Sequence, residues 1–227
     1  MPFSLIQSLR SIPLAFIDVE TNGMSPRTGN RVIEIGIVRV ENGVIHSQYQ
    51  QLIDPRRHIS PRITEVTGIT AAMCTGQPTF AQQAATMLEY LRGAAIVGHN
   101  VRFDLSFICH EMMRARVELD GGPKTPVLDT VKIARRRFGR GGNALVLLSR
   151  RLGIQPTAAH RALADAITTY QVFNVLLSAV GGWDITLADA FLHQGGPMQL
   201  GSLTKVAEGQ IEVSVADDSL VSPEVID

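Results

Sequence analysis

Leu14-Ala15-Phe16-Ile17-Asp18-Val19-Glu20 is an apolar run that ends in two acids one residue apart, the pattern of a buried strand arriving at a polar edge. Apolar stretches from Val32 to Val40 and from Val44 to Ile53 flank Asn42-Gly43, a dipeptide that favours a tight hairpin turn. Together these segments predict three antiparallel neighbours. Thr79-Phe80-Ala81-Gln82 matches a helix capping box, and Phe80, Ala84, Met87, Leu88 and Leu91 form an apolar stripe at helical spacing behind it. Short strands near Ile96 and Val127, with helices from about Val101, Asp129, Asn143 and Arg161, complete the layout. In the last of these helices the stripe is Ala166, Tyr170, Phe173 and Leu177. The fold class this predicts is α/β, a mixed sheet flanked by helices.

Polar positions break the pattern at three places. Side chains alternate across a strand, so Asp18 and Glu20 share a face. Two carboxylates this close raise each other's pKa unless a cation lies between them, and oxygen ligands suit Mg²⁺ and Mn²⁺. The plainer alternative is a strand that has reached solvent with both acids hydrated. Thr21-Asn22-Gly23 follows as a turn in which glycine allows backbone to approach a ligand. In the second place, Asn100 is a favoured N-cap, and a helix starting there puts Asp104 one turn on, along the same face. An ordinary first-turn acid would look the same. Phe103 and Phe107, four apart, read first as core. The third place is His160-Arg161-Ala162-Leu163-Ala164-Asp165, where Asp165 sits beside the stripe's first residue and is expected half-buried. Imidazole titrates near neutrality and suits a general base; a surface loop histidine is the competing reading.

Phe16-Ile17-Asp18-Val19-Glu20-Thr21, His99-Asn100-Val101-Arg102-Phe103-Asp104 and His160-Arg161-Ala162-Leu163-Ala164-Asp165 resemble the three motifs of the DEDDh exonucleases. That superfamily includes the DnaQ-like proofreading (epsilon) subunit of bacterial DNA polymerase III. Arg31-Val32-Ile33-Glu34-Ile35-Gly36, Ile63 to Ile69 and Leu128-Asp129-Thr130 resemble family segments in the same order, so the likeness spans about Pro13 to Leu177. It implies a ribonuclease H-like fold and a 3′ to 5′ exonuclease that releases nucleoside 5′-monophosphates, with single-stranded DNA ends as the expected substrate. Asp18, Glu20, Asp104 and Asp165 would hold two Mg²⁺ or Mn²⁺ ions, and His160 would be the base. The resemblance also implies that Thr21, Asn22, Gly23 and Met24 hold the terminal nucleotide, Met24 against its base, with His99, Asn100 and Phe103 as further candidate contacts. His99 reads equally as a neutral core histidine. Met24 stands where the family often has Leu, and Asn143-Ala144-Leu145 departs from a Tyr-Ser-Leu-like or Asn-Ser-Leu-like run. Two other functions fit the sequence: an exoribonuclease of the same superfamily, and a polymerase-associated binding module without turnover. All five positions being filled weighs against the last.

With 227 residues and 45% hydrophobic composition, the chain can bury one substantial core. We divide it into an exonuclease domain, 1–180, and a C-terminal appendage, 181–227, partly mobile or partner-binding. Beyond Gly195 no helical stripe is evident, although Ile211-Glu212-Val213-Ser214-Val215 alternates like a strand. Gln199-Leu200-Gly201-Ser202-Leu203 resembles the short peptides that dock on sliding clamps, so a polymerase or a clamp is the partner class implied. The formal net charge is zero, yet 20 bases and 15 acids precede Lys205, leaving the body at about +5. Arg135, Arg136, Arg137, Arg140, Arg150 and Arg151 could meet phosphates or could line a solvated helix face. No apolar stretch approaches the roughly 20 residues that span a bilayer, and no signal segment is seen. Cys74 and Cys109 lack metal-binding spacing and read as free thiols. A soluble cytoplasmic protein without membrane contact is expected.

Overall fold

The computed structural model describes residues 3–118, 122–155 and 160–201. Strands β1 (Leu14–Thr21), β2 (Val32–Glu41) and β3 (Val44–Leu52) form the antiparallel half of one five-stranded sheet. β4 (Ala95–Gly98) and β5 (Val127–Asp129) continue it in parallel beyond β1, so the order is β3-β2-β1-β4-β5. The hairpin turns at Asn42 and Gly43, with φ of 55° and 79°, the left-handed region that these two residues enter at low cost.

Helices α1 (Pro61–Thr67) and α2 (Ala71–Cys74) follow the hairpin, and α3 (Phe80–Leu91) and α4 (Arg102–Ala115) cover one face of the sheet. There Ala15, Ile17 and Val19 of β1 meet Phe80, Ala84 and Met87 of α3 and Leu105, Ile108 and Met112 of α4. The capping reach at the start of α3 is made: Gln82 Oε1 accepts from the Thr79 N–H at 2.8 Å. On the other face, α5 (Thr130–Phe138), α6 (Leu145–Arg151), α7 (Ala162–Ser178) and α8 (Leu187–Gln194) pack on Leu14, Phe16, Val38 and Val40. Phe16 is held edge-on by Tyr170 and Phe173 of α7, each ring centroid 5.4 Å away. Such pairs add about 0.5–1.5 kcal/mol each beyond area burial, and here they tie β1 to α7.

Packing does not stop at residue 180. Ile185, Leu187, Ala190 and Phe191 are buried in the α7 layer, and Met198 and Leu200 in the α3–α4 layer. The Gln194 side chain accepts from the Asp129 N–H and donates to Val127 O and Gly196 O, which fastens the end of α8 to β5. Gln199 pairs with Pro126, and Leu200, 2% exposed, gives its N–H to Thr125 O. The clamp-like peptide therefore begins inside the body, because its leucine fills the core and is not on offer to a partner. Ser202 and Leu203, the strand expected at Ile211–Val215 and the acidic C-terminal stretch lie outside the described residues. Cys74 and Cys109 are free and buried. No helix among the described residues is long and apolar enough to cross a membrane.

Candidate active site

Alternation along β1 carries the apolar face Leu14–Phe16 into Asp18 and Glu20, on the side of the sheet that α7 covers. In the ladder with β2, Asp18 lies opposite Gly36 and Glu20 opposite Glu34. The parallel pairing of β1 with β4 ends at Phe16. Beyond it the Val19 N–H is donated to Asp104 Oδ1 at 3.0 Å, so the first turn of α4, from the opposite layer, brings its carboxylate to the β1 backbone at Val19.

His160 and Asp165 come from the start of α7. His160 occupies the left-handed region at φ 59°, unusual for a residue with a side chain. Its N–H is donated to Asp165 Oδ2 at 3.0 Å, which closes the entry to the helix into a ring. Glu20, His160 and Asp165 each present a ligand atom within 4.8 Å of the others. His160 is exposed, Glu20 half-buried and Asp165 buried.

Negative charge accumulates here. Burial lifts Asp18 well above the usual carboxylate range, and Asp104, Asp165, Glu20 and Glu34 push it further. Glu20 is raised to about 8, first by burial and then by Asp165 and Glu34, with Arg161 opposing. Asp104 and Asp165 also rise through burial, against hydrogen bonds from Val19 and His160 respectively. Four acids that all move upward are a site awaiting positive charge. Oxygen donors in this number, with one imidazole beside them, fit a hard divalent cation.

The other predicted residues divide. Met24 is 71% exposed. Thr21 and Asn22 have partners within the protein: Thr21 Oγ1 donates to Gly23 O at 2.7 Å, and Asn22 accepts from the Arg31 N–H and donates to His58 O. A Cβ on Gly23 would lie 2.5 Å from the Asn30 side chain, so this glycine admits Asn30, a reason unrelated to any ligand. His99 is not free for substrate. Its Nε2 meets Asn143 O at 2.7 Å and its Nδ1 meets Thr130 Oγ1 at 2.8 Å; since the carbonyl only accepts, Nε2 carries the proton. Burial lowers its pKa to about 4, so the ring is neutral. Asn100 does not cap α4. It is exposed at φ 62°, its N–H bound to Asp129 Oδ1, and the helix begins at Arg102 after Val101. Phe103 is half-buried, packing on Phe107 with centroids 5.1 Å apart.

Sequence reasoning assigned no role to Glu34, Gly36, Asp129 or Gln194. A carboxylate and a glycine inside an apolar strand pattern were signals for the first two, since buried charge is paired and strand glycines mark close approach. Asp129 caps α5 through the Val131 N–H and pins the Asn100 turn.

The family model described as Exonuclease matches residues 15–173. The 3′-5′ exonuclease DinG of Bacillus subtilis is 38% identical over 162 residues, 71% of this chain and 17% of that protein. The DNA polymerase III subunit epsilon of Aquifex aeolicus is 35% identical over 164 residues, 71% of this chain and 78% of its own. The nuclease domain of 3′hExo, a DEDDh family member bound to rAMP, superposes with a TM-score of 0.66 at 17% identity, covering 79% of this chain and 97% of that one. The chain thus spans less than a third of larger relatives such as DinG. It belongs to the Exonuclease family.

Proposed function

We propose that this chain removes nucleoside 5′-monophosphates one at a time from the 3′ end of single-stranded DNA in a reaction that requires divalent metal. The observation that carries the reading is the convergence of Glu20, His160 and Asp165 within 4.8 Å, beside Asp18 and Asp104, at the end of β1. Asp18, Glu20, Asp104 and Asp165 are the residues to hold two Mg²⁺ or Mn²⁺ ions. When bound, such ions neutralise the carboxylates and act as Lewis acids toward the phosphate. His160 takes a proton from the attacking water onto an imidazole nitrogen as the water oxygen bonds to phosphorus. The bond from phosphorus to the 3′ oxygen breaks, that oxygen gains a proton from solvent, and the mononucleotide departs. The exposure of His160 suits this role, because its ring can meet both water and a strand end. The exposed Met24 would lie against the terminal base. DNA is favoured over RNA by the polymerase subunits among the relatives, and a polymerase is the corresponding partner class.

End-labelled DNA and RNA strands of matched sequence, incubated with Mg²⁺ or Mn²⁺ and with or without chelator, test the proposal. Metal-dependent mononucleotide release is expected from DNA, with loss of about 10²-fold or more in Asp18→Ala and Asp165→Ala. Full activity in either variant rejects the metal assignment, and preferential digestion of RNA replaces the substrate class.

A further inference from the structure

We propose that Glu34 and Gly36 of β2 are positioning residues for this reaction, Glu34 through Arg161 and Gly36 through the backbone at the start of α7, and that together they hold His160 and Asp165 against Glu20. The inference rests on the exonuclease reading and goes beyond it, since β2 carries none of the five candidate catalytic side chains. Glu34 is fully buried and cannot meet substrate. Its carboxylate nevertheless gathers donors from three directions. Arg161 Nε reaches both oxygens at 3.2 and 3.1 Å, and Arg161 Nη2 reaches Oε1 at 2.7 Å. The Ala162 N–H is donated to Oε2 at 3.0 Å, and Gln50 Nε2 to Oε1 at 2.9 Å.

Two consequences follow from that inventory. First, α7 has no capping side chain of its own, and one of its unpaired N-terminal N–H groups is satisfied by a strand residue 128 positions away. Second, the planar guanidinium fork fixes the chain at the residue directly after His160, which itself stands in the left-handed region. Gly36 completes the seat. A Cβ there would lie 2.2 Å from Ala162 C and 2.3 Å from Leu163 N, both backbone atoms, so only glycine lets α7 rest at this distance from the strand. Glu34 and Gly36 lie opposite Glu20 and Asp18 in the ladder. The same strand therefore registers the β1 acids and the α7 residues to each other. A buried ion pair is weak evidence for stability, because an apolar pair of equal volume holds a helix as well. Registering a base and a ligand within hydrogen-bonding precision is a task the apolar pair would not perform.

The experiment compares wild type with Glu34→Gln, Arg161→Met, His160→Ala and the double variants, each checked by circular dichroism. Where Arg161→Met does not fold, Arg161→Lys, which keeps the charge and loses the fork, takes its place. Glu34→Gln and Arg161→Met are each expected to lower kcat about ten- to hundred-fold, with the KM for a DNA oligonucleotide little changed. Adding His160→Ala to Glu34→Gln should cost no more than about two- to three-fold further, because the base is already displaced. A second readout needs no activity: the His160 ring signal in a histidine-labelled NMR spectrum, assigned by its loss in His160→Ala, should move in Glu34→Gln while that of His99 stays. A kcat near wild type, multiplicative losses with His160→Ala, or an unmoved His160 signal overturns the proposal. If wild type releases no nucleotide, the exonuclease reading fails, and the ring signal alone decides: movement upholds the seat and its absence removes it.

Discussion

His99 shows how a side chain inside a nuclease motif can belong to the scaffold. Both ring nitrogens are occupied, by Thr130 on α5 and by the Asn143 carbonyl, and burial keeps the ring neutral with a pKa of about 4. Removing it takes the donor from the Asn143 carbonyl, while Thr130 Oγ1 keeps its bond to Gly98 O, at a cost of about 1–3 kcal/mol. His99→Leu should therefore lower the melting temperature while the folded fraction keeps a kcat close to wild type; a large fall in kcat at unchanged stability would return His99 to the substrate. In the sequence Asn22 belongs to a turn, Asn100 is a favoured N-cap, and His99 is a candidate contact through the family resemblance. Their partners are His58 and Arg31, Asp129, and Thr130 with Asn143. Those partners lie 9 to 44 positions away, beyond what local pattern can pair. The acids were legible because strand alternation and the first helical turn are local facts, and nothing else was needed to put Asp18 and Glu20 on one face.

Elements came through the sequence in proportion to their periodicity. The hairpin at Asn42-Gly43 and the stripes of α3 and α7 are found where pattern puts them. The start of α4 is not at Asn100, because Asp129 takes the Asn100 N–H and holds the residue in the left-handed region. The segment after residue 180 reads as an appendage, yet Gln194 sews it to β5 and Leu200 is buried in the core. The stripe Leu187, Ala190 and Phe191 of α8 has helical spacing, whereas the reach of Gln194 to β5 is long-range and leaves no local trace. Strand β2 carries the element-scale prediction. Gly36→Ala must displace the start of α7, since the contact is with backbone and no flexible side chain can yield. Overpacking of this kind costs about 1–3 kcal/mol. The expected outcome is a lowered melting temperature together with a fall in kcat, measured on protein shown to be folded. A wild-type melt and wild-type rate would mean that α7 does not lie on β2 as described.

At the scale of the whole molecule, the site's carboxylates set a stability that depends on pH and on metal together. Glu20 has an ordinary value of 4.5 and a folded value of about 8, so between these the folded protein binds a proton that the unfolded chain does not. Stability then falls as pH rises through that window, and Asp18, Asp104 and Asp165, all raised, act in the same direction. His99 acts oppositely: its value drops from 6.5 to about 4, so its contribution is present above pH 6.5 and lost as pH falls toward 4. Below pH 6.5 the two trends conflict; above it only the carboxylates remain. The clean interval is therefore pH 6.5 to 8. In chelator, Glu20 alone should remove ~1 to 2 kcal/mol of stability across it. Divalent metal binds the ionised acids of the folded state, so Mg²⁺ or Mn²⁺ should stabilise the protein more at pH 8 than at pH 6.5. Glu20→Gln, which carries no titrating proton, should flatten the metal-free slope. Thermal melts at the two pH values, with chelator and with metal, read all three effects. A metal-free protein that melts at the same temperature at both would mean that the acids at the end of β1 are already ionised and solvated, and the electrostatic ground for a cation there would be gone.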